Sequence, residues 1–259
     1  MVENISGMLD FKGKAVMVTG GGSGLGVGIA RRFAQAGADV FFTYLSARAP
    51  EENADELRSF GVRAEYMPLD QRDADGCKKA VHTAYDTFGR LDVLVNNSAI
   101  HGRTPTMEID QAIWDEMMEI NLRGAFFCAQ TAGALMVKQG DGGAIVSIST
   151  INSWNPLDNA CHYGVSKAGI NHFTRSLAKE LGGSGIRVNA IAPGLIEAEG
   201  LEAAVPGWRQ RFIDRSALRK TGTQEDVANI CLFLASPMSD WITGQTIIAD
   251  GGVMLAPWY

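Results

Sequence analysis

The stretch VTGGGSGLGVGIARRFAQAGA, residues 18–38, decides how the rest of the chain is read. It begins on the tail of an apolar run, AVMV, and passes through Gly20, Gly24 and Gly26 into a segment whose Leu25, Ile29 and Phe33 recur at helical spacing. The glycines therefore stand where a strand ends and a helix begins. There the backbone can approach a pyrophosphate, and the first N–H groups of the helix, which lack partners inside it, meet negative charge together with the helix dipole. A flexible glycine turn is the plainer alternative. The strand before it and the amphipathic helix after it favour a dinucleotide site.

Outward from this unit the alternation repeats. AVMVTG, DVFFTY, RAEYMPLD, LDVLVNN, AIVSIS, RVNAIAPG and QTIIADGG read as strands, most of them apolar at consecutive positions, as in a sheet covered on both faces. Amphipathic segments at 25–36, 74–88, 111–139, 162–181 and 225–235 read as helices, with Asp110 and Thr223 at capping positions. Strand–helix–strand repetition implies right-handed crossovers. We therefore expect an α/β fold, a doubly wound, parallel, seven-stranded sheet of Rossmann type with helices on both faces, forming a single domain over 1–259. In such sheets a ligand binds outside the carboxyl ends of the strands, where the strand order reverses.

Composition narrows the function classes. The 259 residues, 46% of them hydrophobic, suffice for one sizeable core, and no linker or charge run divides them. A formal charge of -6 weighs against nucleic acid or an anionic membrane as the main partner. No apolar run approaches the ~18 residues of a membrane span. The start, MVENISGMLDFKGK, lacks the basic region and apolar core of a secretory leader, so a soluble, cytoplasmic protein is expected. The four cysteines, Cys77, Cys128, Cys161 and Cys231, show no CxxC pairing, which suits reduced thiols and gives no reason to expect a metal site.

Further motifs follow in order along the chain: Asp70 after the third strand, NNSA at 96–99, Asn121 within EINLRGAF, Tyr163 and Lys167 in HYGVSK, Pro193-Gly194, and LASPMSDWITGQTIIADGG near the end. Together with TGGGSGLG at 19–26 they make the chain similar to the short-chain dehydrogenase/reductases, of the single-domain group, over nearly its whole length. The resemblance implies a hydride transferred between a nicotinamide and a ketone or secondary alcohol, with Tyr163 as general acid/base. It also implies that Lys167 holds the nicotinamide ribose, that Thr150 stands at the position of a serine bonding the substrate oxygen, and that Asn121 helps hold a proton-relay water. A helix-kink polar residue is the other reading of Asn121.

The chemistry explains the residue types. A carbonyl oxygen that receives a hydride on its carbon needs a proton, and a positioned acid supplies it. A free phenol titrates near ~10, so work near neutrality needs a fall of roughly 3 units, and a cation within hydrogen-bonding range supplies ~1–3. Lys167, one helical turn from Tyr163, is expected to be that cation. Threonine in place of serine keeps the hydroxyl but adds a methyl, tightening the pocket.

The cofactor contacts implied by the resemblance are Gly20, Gly24, Leu25, Gly26, Tyr44, Ser46, Arg48, Asp70, Asn97, Ser98, Ala99, Tyr163, Lys167, Pro193, Gly194 and Ile196. Two departures stand out: Ser98-Ala99 replaces an alanine–glycine pair, and Ala198 replaces a threonine that binds the carboxamide. Tyr44 occupies the place of the acid that NAD enzymes present to the ribose, and Ser46 with Arg48 offers partners for a 2'-phosphate. NADP(H) is therefore expected, with NAD(H) still open and a solvated Arg48 the alternative. Asp70 is read as accepting from the adenine amino group or as capping its loop. Trp154, Asn159, Leu195 and Trp208 are candidate substrate contacts, the last two in a variable lid at about 195–216. His162 is read as a substrate contact or a buried capping residue. Trp258 and Tyr259 suit a subunit interface or a frayed tail.

The resemblance further implies a homotetramer built on the helices at 111–139 and 162–181. A 3-oxoacyl carrier-protein reductase, with Arg175, Lys179 and Arg187 as a basic patch for its acidic carrier, is the competing enzyme reading. A non-catalytic nucleotide-sensing protein is the competing non-enzyme reading.

Overall fold

The computed structural model describes residues 5–46 and 50–255. Seven parallel strands form one sheet, β1 (Ala15–Val18), β2 (Asp39–Tyr44), β3 (Ala64–Pro68), β4 (Val93–Asn96), β5 (Gly143–Ile148), β6 (Ile186–Pro193) and β7 (Thr246–Ala249), in the order β3-β2-β1-β4-β5-β6-β7. The chain winds outward from β1 to β3, then returns to the other side of β1 for β4 to β7. The order reverses between β1 and β4, so the crevice there opens at their carboxyl ends, beside Gly20 and Asn97.

Side-chain alternation sends each strand into two cores. Val16 and Val18 of β1 join Val40, Phe42, Val93, Val95 and Val146 on one face, closed by Ile29 and Phe33 of α1 (Gly24–Gln35), Leu57 of α2 (Pro50–Arg58) and Val227 and Cys231 of α9 (Gln224–Ala235). Met17, Phe41, Leu94, Ile145 and Val188 face the other way, against α3 (Ala74–Phe88), α5 (Ala125–Gln139) and α6 (Cys161–Leu181). The small Ala80, Ala84, Ala129 and Ala132 let α3 and α5 pack closely on the sheet. The expected doubly wound sheet is thus present, with helices on both faces.

Local chemistry starts and stops the helices. Asp110 accepts from the Ile113 N–H at the start of α4 (Gln111–Met118), and Thr223 forms a capping box with Asp226 at the start of α9. Both are the caps expected from sequence. The segment 111–139 is not one helix: α4 ends at Met118, a π-helical stretch covers Glu119–Gly124, and α5 follows. Buried Asn121 lies within that wider turn and bonds outside its own helix, which the apolar periodicity alone does not reveal. Helix α2 and the short lid helices α7 (Leu201–Ala204) and α8 (Trp208–Arg215) also lie outside the segments expected to be helical. Among the described residues no helix is long and apolar enough to cross a membrane, no group of His, Cys, Asp or Glu could hold a metal ion, and the four cysteines are unpaired.

One buried charge staples the amino-terminal end of the sheet. Asp92, before β4, accepts from the Ala15 N–H of β1 at 2.9 Å and pairs with Arg90 and Lys14. Burial pushes this carboxyl up, but Arg90, the Ala15 N–H and Lys14 outweigh it and hold the group below its ordinary range. A depressed carboxyl stabilises the fold above its unfolded pKa, near ~3.9, and that contribution disappears as pH falls through the folded value. Asp92→Asn is therefore expected to lower stability by about 1–3 kcal/mol at pH 7 and by progressively less as the pH is lowered below the ordinary carboxyl range, as urea unfolding over a pH series would show. A loss that does not change with pH would mean that the charge contributes nothing.

Candidate active site

The glycine turn and the end of β4 are built on each other. Gly20 and Gly24 have positive φ of 65° and 53°, and a Cβ on Gly26 would stand 2.1 Å from the Gly20 carbonyl oxygen. The Thr19 hydroxyl accepts from the N–H groups of Asn97 and Ser98, while the Asn97 amide donates to the Thr19 and Gly20 carbonyls. Ser98 lies against Gly20, so its hydroxyl fills the space that a side chain there would need.

These residues fit a dinucleotide. Ser23, at the N-cap of α1, makes no side-chain cap bond, which leaves the first helical N–H groups free for a ligand. Nothing lies within 4 Å of a Cβ built on Gly24, so the turn is open on that side. Leu25 is half-buried against the core beneath. Tyr44 ends β2 with its ring 5.8 Å from that of Tyr66, and Ser46 is exposed beyond it. Arg48 lies outside the described residues, as do Trp258 and Tyr259. Asp70 is held by Arg72 through paired bonds of 3.0 and 2.6 Å, and its carboxyl is pulled down by that guanidinium and by the Arg72 N–H. Ala99 is exposed. Pro193 is buried at the end of β6, and Ile196 forms a backbone bridge to Gly222.

Beyond the ends of β4, β5 and β6, a cavity of about 290 Å³ is walled by His101, Thr150, Ile151, Asn152, Leu157, Tyr163, Gly194, Leu195, Trp208 and Phe212. Tyr163 reaches it from the first turn of α6 and lines the same cavity as Thr150. Ser149 points elsewhere, donating to the Lys167 carbonyl at 3.3 Å, so Thr150 is the hydroxyl at the cavity. Lys167 is buried beneath, its ammonium donating to the Ile148 carbonyl at 2.8 Å. The Asn121 amide donates to the Ile100 carbonyl and to Ser166, and its oxygen accepts from the Ile100 N–H, so it clamps the loop after β4.

The charges are arranged differently from the expectation that Lys167 depresses the tyrosine. Burial pushes the Tyr163 phenol up to about 12, opposed by the Thr150 hydrogen bond, and burial pushes Lys167 down to about 8. The ammonium lies 6.0 Å from the tyrosine ring centre and is engaged by a backbone carbonyl, so desolvation wins at both groups.

Of the four candidate substrate contacts, Leu195 and Trp208 line this cavity. Trp154 and Asn159 line a separate groove of about 730 Å³ with Pro156 and Cys161. His162 is buried, its Nδ1 without a partner among the described residues. Arg187 is not part of a surface patch: it donates to the Leu234 and Ser236 carbonyls and to the Ser239 hydroxyl. Sequence reasoning missed His101 and Phe212. His101 stands two residues past Ala99, beyond the carboxyl end of a central strand, and that position was the available signal. Phe212 follows Trp208 by one helical turn on α8.

Comparison with known proteins agrees with this geometry. A family model described as enoyl-(acyl carrier protein) reductase matches residues 20–254. A 3-oxoacyl-[acyl-carrier-protein] reductase of Thermotoga maritima is 35% identical over 244 residues, 94% of this chain and 99% of the relative. Among solved structures, a putative short-chain alcohol dehydrogenase from Sinorhizobium meliloti superposes with a TM-score of 0.92 at 36% identity, covering 96% of this chain and all of the other. Acetoin dehydrogenase from Salmonella typhimurium gives 0.86 at 34% identity, covering 95% and 99%. With a hydroxyl, a phenol and an ammonium gathered where its parallel strands end, the chain belongs to the short-chain dehydrogenase/reductase family of NAD(P)-dependent oxidoreductases.

Proposed function

We propose that this protein transfers a hydride between NADP(H) and a ketone or secondary alcohol held in the cavity above Tyr163, with Asn121, Thr150, Tyr163 and Lys167 as its working residues. The observation that carries the proposal is the meeting of the Thr150 hydroxyl and the Tyr163 phenol at one wall of a small, mostly apolar cavity. When bound, the nicotinamide supplies or accepts the hydride. Two hydroxyls at one wall can both donate to a carbonyl oxygen, and the phenol then passes it a proton. A phenol pushed up to about 12 is protonated near neutrality, which suits it as the acid in reduction. In this reading Lys167, whose ammonium donates to the Ile148 carbonyl, binds ribose hydroxyls and favours the phenolate in the reverse direction, and Asn121 serves the proton path by holding the π turn and the Ile100 loop in place.

The NADP(H) preference rests on Tyr44 standing where an acid would meet the ribose, with Ser46 next to the segment that contains Arg48. A similar structure supports it: the NADPH-dependent 3-quinuclidinone reductase from Rhodotorula rubra is 28% identical, with a TM-score of 0.92. Reduction of 3-oxoacyl carrier-protein substrates is the second reading, carried by the names of relatives such as that of Thermotoga maritima. Arg187 is engaged internally, so of the three basic residues only Arg175 and Lys179 remain for an acidic carrier. We further propose a cytoplasmic homo-oligomer assembled through α4, α5 and α6. Trp114, Leu122, Phe126, Phe127 and Phe173 line a groove of about 900 Å³ between these helices, which supports such packing.

Two experiments test the proposal. Tyr163→Phe should lower kcat for NADPH-dependent ketone reduction by about 10²–10⁴-fold while leaving cofactor affinity, read by nucleotide fluorescence, within about threefold. Equal loss of both, or unchanged turnover, would refute the assignment. Tyr44→Asp should move the ratio of kcat/KM for NADPH over NADH toward NADH by about 10–100-fold, because a carboxylate accepts from ribose hydroxyls and repels a 2'-phosphate. An unmoved ratio would remove Tyr44 from cofactor selection.

A further inference from the structure

The cavity holds one imidazole that the mechanism above does not use. His101 lies edge-on to Tyr163, their ring centres 4.6 Å apart and their planes at 69°. The residues on either side of it are fixed. Ile100 has both backbone groups clamped by the buried Asn121 amide, at 2.8 and 2.9 Å. Gly102 lies so close to His162 and Met117 that a Cβ there would stand 3.3 Å from each side chain. His101 is thus carried on a braced loop, and its ring forms part of the cavity wall. His101 is exposed to solvent, and no hydrogen bond within the protein engages its ring among the described residues.

The surrounding chemistry says what such a group would bind. Ile151, Leu157, Leu195, Trp208 and Phe212 make the wall largely apolar, and in the reading given above the hydroxyls of Thr150 and Tyr163 serve the oxygen of the reacting carbonyl. Desolvation against the wall, with Arg103 and His162 nearby, holds the imidazole below its ordinary value, so near neutrality it is uncharged, with one nitrogen to donate and one to accept. A hydrocarbon pressed against it would leave both unpaired, and a site that hydrogen-bonds a substrate oxygen discriminates strongly against the analogue that lacks it.

We propose that His101 is a specificity-determining residue that binds a second oxygen of the substrate, within two carbons of the reacting carbonyl. The preferred substrates are then hydroxyketones, diketones and the corresponding diols rather than plain ketones. This inference rests on the oxidoreductase reading given above.

The test compares 3-hydroxy-2-butanone with 2-butanone, which differ by one hydroxyl, using the full-length protein and NADPH. The wild type should favour the hydroxyketone by tenfold or more in kcat/KM. His101→Phe should bring that ratio to within about threefold, and His101→Gln, which keeps a donor and an acceptor, should restore part of it. No preference in the wild type, or a fall of both substrates by one common factor in His101→Phe, would overturn the proposal; the second result would reduce His101 to a packing partner of Tyr163. A readout independent of turnover uses Tyr163→Phe protein saturated with NADP⁺. Adding 3-hydroxy-2-butanone should shift the His101 imidazole proton resonance, assigned by its loss in the Tyr163→Phe/His101→Gln double variant, and an unmoved resonance would also overturn the contact. If that shift appears while wild-type protein oxidises neither NADPH nor NADH with any ketone, the hydride-transfer reading fails and the contact stands.

Discussion

Everything in this molecule depends on two stretches of backbone approaching more closely than side chains permit. The Gly20 carbonyl and the first turn of α1 at Gly26 leave no room for a methyl between them, and the Asn97 amide ties the same carbonyl to the end of β4. That contact joins β1, α1 and β4 at the point where the sheet reverses its winding. Helix α1 is thereby aimed with its unpaired N–H groups at the crevice, and the loop after β4 is started in the direction that carries it past Asn121 to His101. A larger residue at Gly26 would displace the helix, and with it one wall of the ligand site.

A second constraint is dielectric. Tyr163 and Lys167 come from one helix face and enter a region with little water, which pushes both toward their neutral forms. Burial thus favours the protonated phenol and weakens the charged form of the amine beneath it, whose ammonium is anchored to the Ile148 carbonyl.

How much of this could be read from residues alone follows from the range of the forces involved. The strands were legible because burial on both faces writes continuous apolar runs, as in Val16, Met17 and Val18, whose side chains divide between two cores. The caps at Asp110 and Thr223 are local and were equally legible. The break at Asn121 is absent from the apolar periodicity and was expected only from the family resemblance and the helix-kink reading of that residue, because an amide that bonds to Ile100, 21 positions away, acts through a contact that no window on the sequence contains. Helix α2, PEENADELR, buries only Ala54 and Leu57, too narrow a stripe to announce itself. Among site residues, Tyr163, Lys167 and Thr150 could be placed from spacing to a recognisable motif. Burial sets the direction of the Tyr163 shift, and burial depends on the folded surroundings and not on the interval of four residues. Trp154 and Asn159 lie near Tyr163 in sequence yet line the neighbouring groove, a difference that sequence proximity does not show.

The lid differs in kind from the rest. Helix α7 has four residues and α8 has no buried residue, yet Trp208 and Phe212 of α8 supply a large part of the cavity wall. Neither helix contributes to the two cores beneath the sheet. Part of the cavity wall is thus carried by a helix outside both cores. Such a scaffold can vary that part of its binding chamber by drift in α8 at little thermodynamic risk, which makes the protein a tractable starting point for evolving new substrate ranges.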